Sequence, residues 1–316
     1  MTEPVTPPLA LIRHSVPDAA ARVRTWLRER LEVLSSAARR ARAGDDREAA
    51  HDVRVASRRL DAGLRLWQDA LDPGAAREAR RHLRRLRRRA GGLRDLEVHA
   101  EMLHARAGEW SGEQRLAVEA LAARLDRRLP DAVRRTARAT RKDRVRRIDT
   151  ALARALAPLA TSDSLPPPAI APPDLEPFAG AARGTLASAI ASGHDAEFHD
   201  ARIAIKRWRY AVEALEAVFP APERPGATPL RGLQQALGTL QDIVALRVRI
   251  VRRAERLRTN GRTAEADALL AADATLAGER AEAIGAIERL SERRLAASGR
   301  PDAGASDQRR STTPGV

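Results

Sequence analysis

The chain has no cysteine, one tyrosine, three phenylalanines, four tryptophans and only two lysines among its 316 residues. Lack of cysteine removes disulfides and thiol nucleophiles together, and it fits a reducing compartment. The shortage of aromatics is no barrier to folding, because a chain of this length buries enough surface for one large domain or two smaller ones. No segment reaches the ~18 uncharged apolar residues that a membrane span requires. The N-terminus, MTEPVTPPLALIRHSVP, lacks the apolar core and cleavage pattern of a signal peptide, so a cytoplasmic protein with no membrane partner is expected. Gly-rich phosphate loops are missing, and no nucleophile-base pairing stands out among the serines.

What the chain does have is arginine. Lys and Arg number 57 against 42 Asp and Glu, a net charge of +15 with His neutral. The excess is confined to the first half: residues 1–157 hold 36 bases and 22 acids, whereas residues 158–316 hold 21 and 20. A preference for Arg over Lys explains which cation is chosen but not why bases outnumber acids. A field of that sign attracts polyanions, whether nucleic acid, anionic membrane or chains of phosphate.

Ala, Leu and Arg together favour helix, and no alternating apolar-polar runs argue for strands, so an all-α fold is expected. The first dozen residues are Pro-rich, the tail SGRPDAGASDQRRSTTPGV from Ser298 is almost devoid of apolar residues, and seven prolines fall between Pro158 and Pro177. The last stretch reads as a semi-rigid linker, which gives a first bundle over 15–157, a linker over 158–177, a second bundle over 178–297 and a disordered tail over 298–316. Each half divides into four helices. Breaks are expected at Gly44 to Asp46, at Asp72 to Gly74 and around Gly112, then at Ala191 to Asp195, Pro220 to Pro229 and Thr259 to Arg262.

The halves repeat one another. HDVRVASRRLDAGLRLW, from His51 to Trp67, aligns with HDARIAIKRWRYAVEAL, from His199 to Leu215, at an offset of 148. LRRLRRRAGGLRDL, from Leu83 to Leu96, aligns with LRGLQQALGTLQDI, from Leu230 to Ile243, at an offset of 147. Matched segments at nearly constant spacing indicate a duplicated unit, and hence two antiparallel four-helix bundles related by pseudo-twofold symmetry.

On a wheel of ~100° per residue, His51, Arg54, Arg58 and Arg65 fall in a wedge about 60° wide, opposite Val53, Ala56, Leu60, Leu64 and Trp67. In the second copy His199, Arg202 and Lys206 share a wedge with Arg209 and Tyr210 at its margins, opposite Ala201, Ala204, Trp208, Val212 and Leu215. His51 to Arg65 spans roughly 21 Å along the axis, so the ligand implied is extended or multiply charged. Like charges three or four residues apart cost a few tenths of a kcal/mol per pair, and the wedge around His51 contains no acid to offset them. Further on, Arg77, Arg81, Arg84 and Arg88 form a stripe opposite Leu83, Leu86, Ala90 and Leu93, and Arg134, Arg135, Arg138, Arg141 and Lys142 add more base. Asp95 and Asp242, also at matched positions, are the acids available to neutralise part of this face. A basic central groove or pore is expected.

The paired motifs HDVRVASRRLDAGLRLW, LRRLRRRAGGLRDLEV and FHDARIAIKRWRYAVEAL resemble those of CHAD proteins (conserved histidine α-helical domain) over roughly Asp18 to Ala297. The resemblance implies two four-helix bundles around a basic pore and binding of inorganic polyphosphate, often at polyphosphate granules. Matched residue by residue, it implies ligand contacts at His51, Arg54, Arg58, Arg59, His199, Arg202, Lys206 and Arg209. The basic face read from the residues adds Arg65, Arg84, Arg88, Arg138, Lys142, Arg207 and Tyr210. The second copy departs from the first where Glu213 stands opposite Arg65, and Gln234 and Gln235 opposite Arg87 and Arg88. The Glu-x-Glu-x-Lys motif of the triphosphatase-like domain that precedes many CHAD domains is missing, so a stand-alone, non-catalytic binding module without cofactor or metal is expected.

Three alternatives compete. A metal-dependent phosphohydrolase would use the His-Asp pairs with His194, but a cationic face repels a divalent ion and no clustered carboxylates complete the site. His99 and His104 are badly spaced for a shared metal on one helix. Nucleic acid would use the same phosphate contacts, yet Trp208 lies on the core face, and Trp26, Trp67 and Trp110 read as packing residues. The third alternative is a helical adaptor whose charge serves a protein partner.

Overall fold

The computed structural model describes residues 18–44, 46, 48–160, 169–220 and 228–298. Every regular element among them is helical, and the expected all-α fold holds: α1 (Ala19–Ala43), α2 (Glu48–Leu66), α3 (Pro73–Ala90), α4 (Gly92–Ala105), α5 (Gly112–Asp126), α6 (Leu129–Ala139), α7 (Lys142–Ala155), α8 (Glu176–Ser192), α9 (Asp195–Val218), α10 (Thr228–Thr259) and α11 (Thr263–Ser298). The extreme N-terminus, residues 161–168 of the Pro-rich stretch, and the tail beyond Ser298 lie outside the described residues.

The turn chemistry that the sequence advertises operates as expected at several points. Gly44 ends α1 at φ 87° with its N–H bonded to the Arg40 carbonyl, and Gly193 ends α8 in the same way at φ 66°. Asp72 caps α3 by accepting the Ala75 N–H at 2.7 Å, with Pro73 in the first turn. Among the described residues the second half contains the four α-helices expected of it, α8 to α11, whereas the first half contains seven. The additional breaks fall at Gly91, at Arg127 and Arg128 ahead of Pro130, and at Thr140 and Arg141. Gly91 stays in the right-handed helical region (φ −74°, ψ −26°), so α4 follows α3 after a one-residue interruption. At the matched position in the second half, Gly238 lies within the uninterrupted α10.

The apolar faces assemble into clusters that do not divide at the linker. One joins α1, α2, α3 and α7 with the end of α9 from Ala211 to Phe219, and takes in Ile170. A second is shared between the halves: α4 and α5 pack there with the C-terminal part of α10 and the N-terminal part of α11. A third joins α8, the start of α9, Leu233 to Leu240 of α10 and Ile287 of α11. Arg106 at the end of α4 ties the halves further, donating two hydrogen bonds of 2.8 Å to the Glu279 carboxylate of α11.

Close approach of α1 and α2 depends on Gly63. Trp26 and Trp67 meet edge to face at 5.3 Å, and a Cβ on Gly63 would lie 2.4 Å from Trp26 Cζ3 and 2.9 Å from Leu27 Cδ2. Gly63→Ala should therefore be net destabilising: the helix-propensity gain of about 1 kcal/mol is outweighed by overpacking of about 1–3 kcal/mol. A lower midpoint of chemical denaturation at unchanged m-value is the expected result, and a raised midpoint would refute the packing argument.

Candidate functional site: a basic cleft between α2 and α9

The two motif helices pack against each other. The reason is the apolar side of each. Val53, Ala56, Leu60, Leu64 and Trp67 are all buried, as are Ala201, Ala204, Val212 and Leu215. With these positions committed to the core, the opposite faces of α2 and α9 are left to share a common space with α3. That space is a cleft of about 250 Å³, to which Arg58 and Arg65 contribute from α2, Arg84 and Arg87 from α3, and Arg202, Lys206, Arg207 and Tyr210 from α9.

The electrostatics of the cleft follow from burial without adequate pairing. Lys206 is pushed down to about 7 from 10.5, first by burial and then by Arg202, Arg58 and Arg54, with Asp242 opposing the shift. Arg58 is lowered to about 10 by burial and by Arg54, and remains protonated at neutral pH. Arg202 is likewise lowered by burial and by Arg54, while Asp242 and Asp95 support its charge. The Nε of Arg202 is buried and has no hydrogen-bond partner among the described residues. An unsatisfied buried guanidinium nitrogen is costly unless an acceptor arrives.

Internal neutralisation is real but partial. Arg54 donates to the Gly91 carbonyl at 2.7 Å and approaches Asp95 at 3.2 Å. That carbonyl belongs to the residue between α3 and α4, so Gly91 positions Arg54. Asp242, at the position matching Asp95, has its pKa raised by burial, while Arg202 opposes the shift. Asp61 is shared by three arginines, lying 3.4 Å from Arg65, 3.5 Å from Arg80 and 3.6 Å from Arg87. Arg87 also donates to the Ser57 carbonyl at 3.0 Å.

The remaining expected contacts divide into three groups. His51 and His199 lie at the far end of the motif helices, exposed and outside the cleft lining. Burial and the Arg94 charge lower the His51 pKa, and His199 donates from Nδ1 to Gln241 Oε1 at 2.6 Å. Arg94 and Gln241 occupy matched positions, so each histidine faces the same point of its own half. Arg59 and Arg209 are engaged by one carboxylate: Glu213 accepts from Arg59 at 3.2 Å and from Arg209 at 2.5 Å. Arg209 is only 8% exposed, donates to Gln234 at 2.7 Å and lies over the Tyr210 ring at 4.5 Å. Arg88, Arg138 and Lys142 are exposed and do not line the cleft.

Sequence reasoning underrated Asp61, Arg87 and Arg94. Asp61 is visible inside the first motif, and its signal lies in the comparison of copies. The pair Asp61 and Arg65 is replaced, four residues apart in the same order, by Arg209 and Glu213, an ion pair of reversed polarity. Opposite Arg65, Glu213 is thus half of a compensated exchange. Among the described residues no group of three or more His, Asp or Glu could hold a metal ion. Asp52 of the first His-Asp pair is hydrogen-bonded to Arg40 of α1. His99 is buried between α4 and α10, where it accepts a hydrogen bond from Arg249 Nε at 2.9 Å and is lowered to about 4 by burial and by Arg249.

Comparison with known proteins bears on the fold and the family. No curated protein matches the chain by sequence. Among solved structures, PptA from Streptomyces chartreusis superposes with a TM-score of 0.58 at 24% identity, covering 86% of this chain and 99% of that one. The CHAD domain from the plant Ricinus communis superposes with a TM-score of 0.61 at 22% identity, covering 90% and 94%. At these identities the likeness concerns the fold. The sequence model of the CHAD domain matches residues 25–251, a span that includes both His-Asp motifs and the whole cleft, and the chain belongs to the CHAD domain family.

Proposed function

We propose that the protein binds inorganic polyphosphate, or a closely similar phosphate-rich polyanion, in the cleft between α2 and α9, without catalysis, metal or cofactor. One observation carries the reading: burial and the charge of Arg54 lower the basicity of Arg58, Arg202 and Lys206 together, and the buried Arg202 Nε has no acceptor among the described residues. A chain of phosphates supplies many acceptors in a line. Guanidinium groups take phosphate oxygens through charge-assisted hydrogen bonds, and Lys206 adds a compact point charge. The duplicated motifs further support two bundles related by approximate twofold symmetry with this basic passage at their junction. Attachment of the protein to polyphosphate granules in the cytoplasm follows from such binding.

Nucleic acid fits less well. Trp26, Trp67 and Trp110 are buried, and Tyr210 is 5% exposed beneath Arg209, so no aromatic platform for bases is presented by these residues. Competition of long-chain polyphosphate against single-stranded DNA and heparin across a salt series should show polyphosphate preferred. Equal affinity for all three would replace this reading with general polyanion binding, and no binding to any would favour a protein adaptor.

Charge reversal tests the residues. Arg54→Glu, Arg58→Glu and Lys206→Glu combined should abolish binding. The neutral pair Arg58→Gln and Lys206→Gln should make the dependence of log K on log salt shallower by about 1.4, if each contact contributes about 0.7 as in single-stranded nucleic acid. Retained affinity in the triple variant, with circular dichroism confirming its fold, refutes the assignment.

Lys206 also sets a pH dependence. Between its folded value of about 7 and its ordinary 10.5, the unfolded chain holds a proton that the folded chain has released. Raising the pH through that window therefore stabilises the free protein, and below about 7 the penalty is fully present. A bound polyanion reverses the preference, so binding should take up a proton near neutrality and tighten as the pH falls. Lys206→Met should weaken binding yet remove this component of the pH dependence from thermal unfolding; an unchanged profile would show that Lys206 is not the titrating group.

A further inference from the structure

A second basic concavity lies on the far side of α3. His82, Arg85 and Arg89 of α3 and Arg144 and Arg147 of α7 enclose a cavity of about 150 Å³. Pockets for free small molecules usually run to about 300–1,000 Å³, so this one suits a small charged group carried on something longer. Among the described residues, no carboxylate lies within ion-pair distance of Arg85, Arg89, Arg144 or Arg147. Of the nearby acids, Glu78 pairs with Arg154 at 2.6 Å and lies 3.5 Å from His82 of the lining, and Asp143 pairs with Arg141 at 3.3 Å. Arg144 has its pKa lowered by burial and by Arg89, with Asp143 opposing and Arg141 and Arg147 adding to the shift.

Helical geometry connects this cavity to the cleft. Taken at ~100° per residue, the arginines of α3 follow one another around the helix in the order Arg87, Arg80, Arg84, Arg77, Arg88, Arg81, Arg85, Arg89, sweeping about 200°. Arg84 and Arg87 lie at the cleft end of this belt, and Arg85 and Arg89 in the second cavity. Arg77, Arg81 and Arg88 between them are exposed and have no ion pair among the described residues. Leu83, Leu86 and Ala90, which the sweep leaves out, are buried. The helix is thus anchored by one narrow side and cationic around most of the remainder.

We propose that the α3/α7 cavity is a second phosphate-binding site, and that α3 is a ridge over which one polyphosphate chain passes from the cleft to occupy both. The inference rests on the polyphosphate reading of the cleft and adds a length requirement to it. A chain that crosses α3 must exceed the helix diameter of about 10–12 Å, so short chains fill the cleft alone. Long chains gain the second site as an intramolecular event, which raises affinity without altering the first.

The test uses two independent double variants, Arg85→Gln with Arg89→Gln on α3 and Arg144→Gln with Arg147→Gln on α7, titrated with tripolyphosphate and with long-chain polyphosphate over a salt series. Each pair should make the long-chain salt slope shallower by about 1.4 and lower long-chain affinity roughly tenfold or more, with tripolyphosphate affinity unchanged. Should one pair perturb the fold by thermal unfolding, the other decides. Unchanged long-chain binding in the folded pairs, or equal loss for both ligands, overturns the second site while leaving the cleft intact. A wild-type protein that binds neither ligand overturns the reading of the cleft itself.

Discussion

The structure depends on holding two helices side by side while both direct positive charge into the space they share. At an effective dielectric constant near 20, unit charges 4 Å apart repel by about 4 kcal/mol, so a few such contacts rival the 5–15 kcal/mol by which a domain is stable. Two compensations make the arrangement tenable. The apolar backs of α2 and α9 are buried almost without remainder, and three carboxylates, Asp61, Asp95 and Asp242, are set among the cations. The carboxylates fall short of the cations in number, and burial together with neighbouring cations lowers the basicity of Arg58, Arg202 and Lys206.

The two copies of the unit have diverged in ways that preserve this balance. Arg54 leans on Asp95 in the first half, and Arg202 is supported by Asp242 in the second. Where the first copy has Asp61 and Arg65, the second has Arg209 and Glu213, so each helix keeps an i,i+4 ion pair but the sign of its outer member is exchanged. The consequence is functional as well as structural. The first pair keeps Arg65 in the cleft, whereas the second turns its arginine inward against Tyr210 and Gln234. The cleft is therefore lined mainly by α2 and α3 on one side and by the first turns of the α9 motif on the other, which matches the concentration of net charge in the first half.

How much of this was legible in sequence depends on the range of the interaction. The buried and cationic sides of α2, α3 and α9 follow from a 3.6-residue period and were readable directly. Four helices in the second half were marked by strong breakers, Gly193, Gly261 and the prolines near Pro220. The first half was harder because two of its extra breaks are weak: Gly91 retains helical angles, and the turn at Thr140 involves residues that tolerate helix, so packing decides them. The third, at Arg127 and Arg128, was marked by Pro130 in the first turn of α6 and was readable. Which arginine faces the ligand and which is consumed by an internal acid was less legible still. Arg58 and Arg59 are neighbours in sequence, yet one lines the cleft and the other is bonded to Glu213, 154 positions away.

Asp61 shows why an acid inside the proposed polyanion site need not oppose its function. A carboxylate has two oxygens, and here it approaches three guanidinium groups at 3.4–3.6 Å, longer than a charge-assisted hydrogen bond of about 2.7–2.9 Å. It cannot satisfy them all, but it draws three guanidinium groups toward one carboxylate. Arg87 is fixed further by the Ser57 carbonyl. Ordering a long side chain costs about 0.5–1.5 kcal/mol at the moment of binding, and a side chain already ordered avoids that loss. A phosphate chain bound as proposed would find donors whose freedom has been spent in folding and whose charge is still mostly uncompensated. The acids thus trade some electrostatic attraction for preorganisation, and the balance favours binding because the carboxylates are outnumbered where the cations meet.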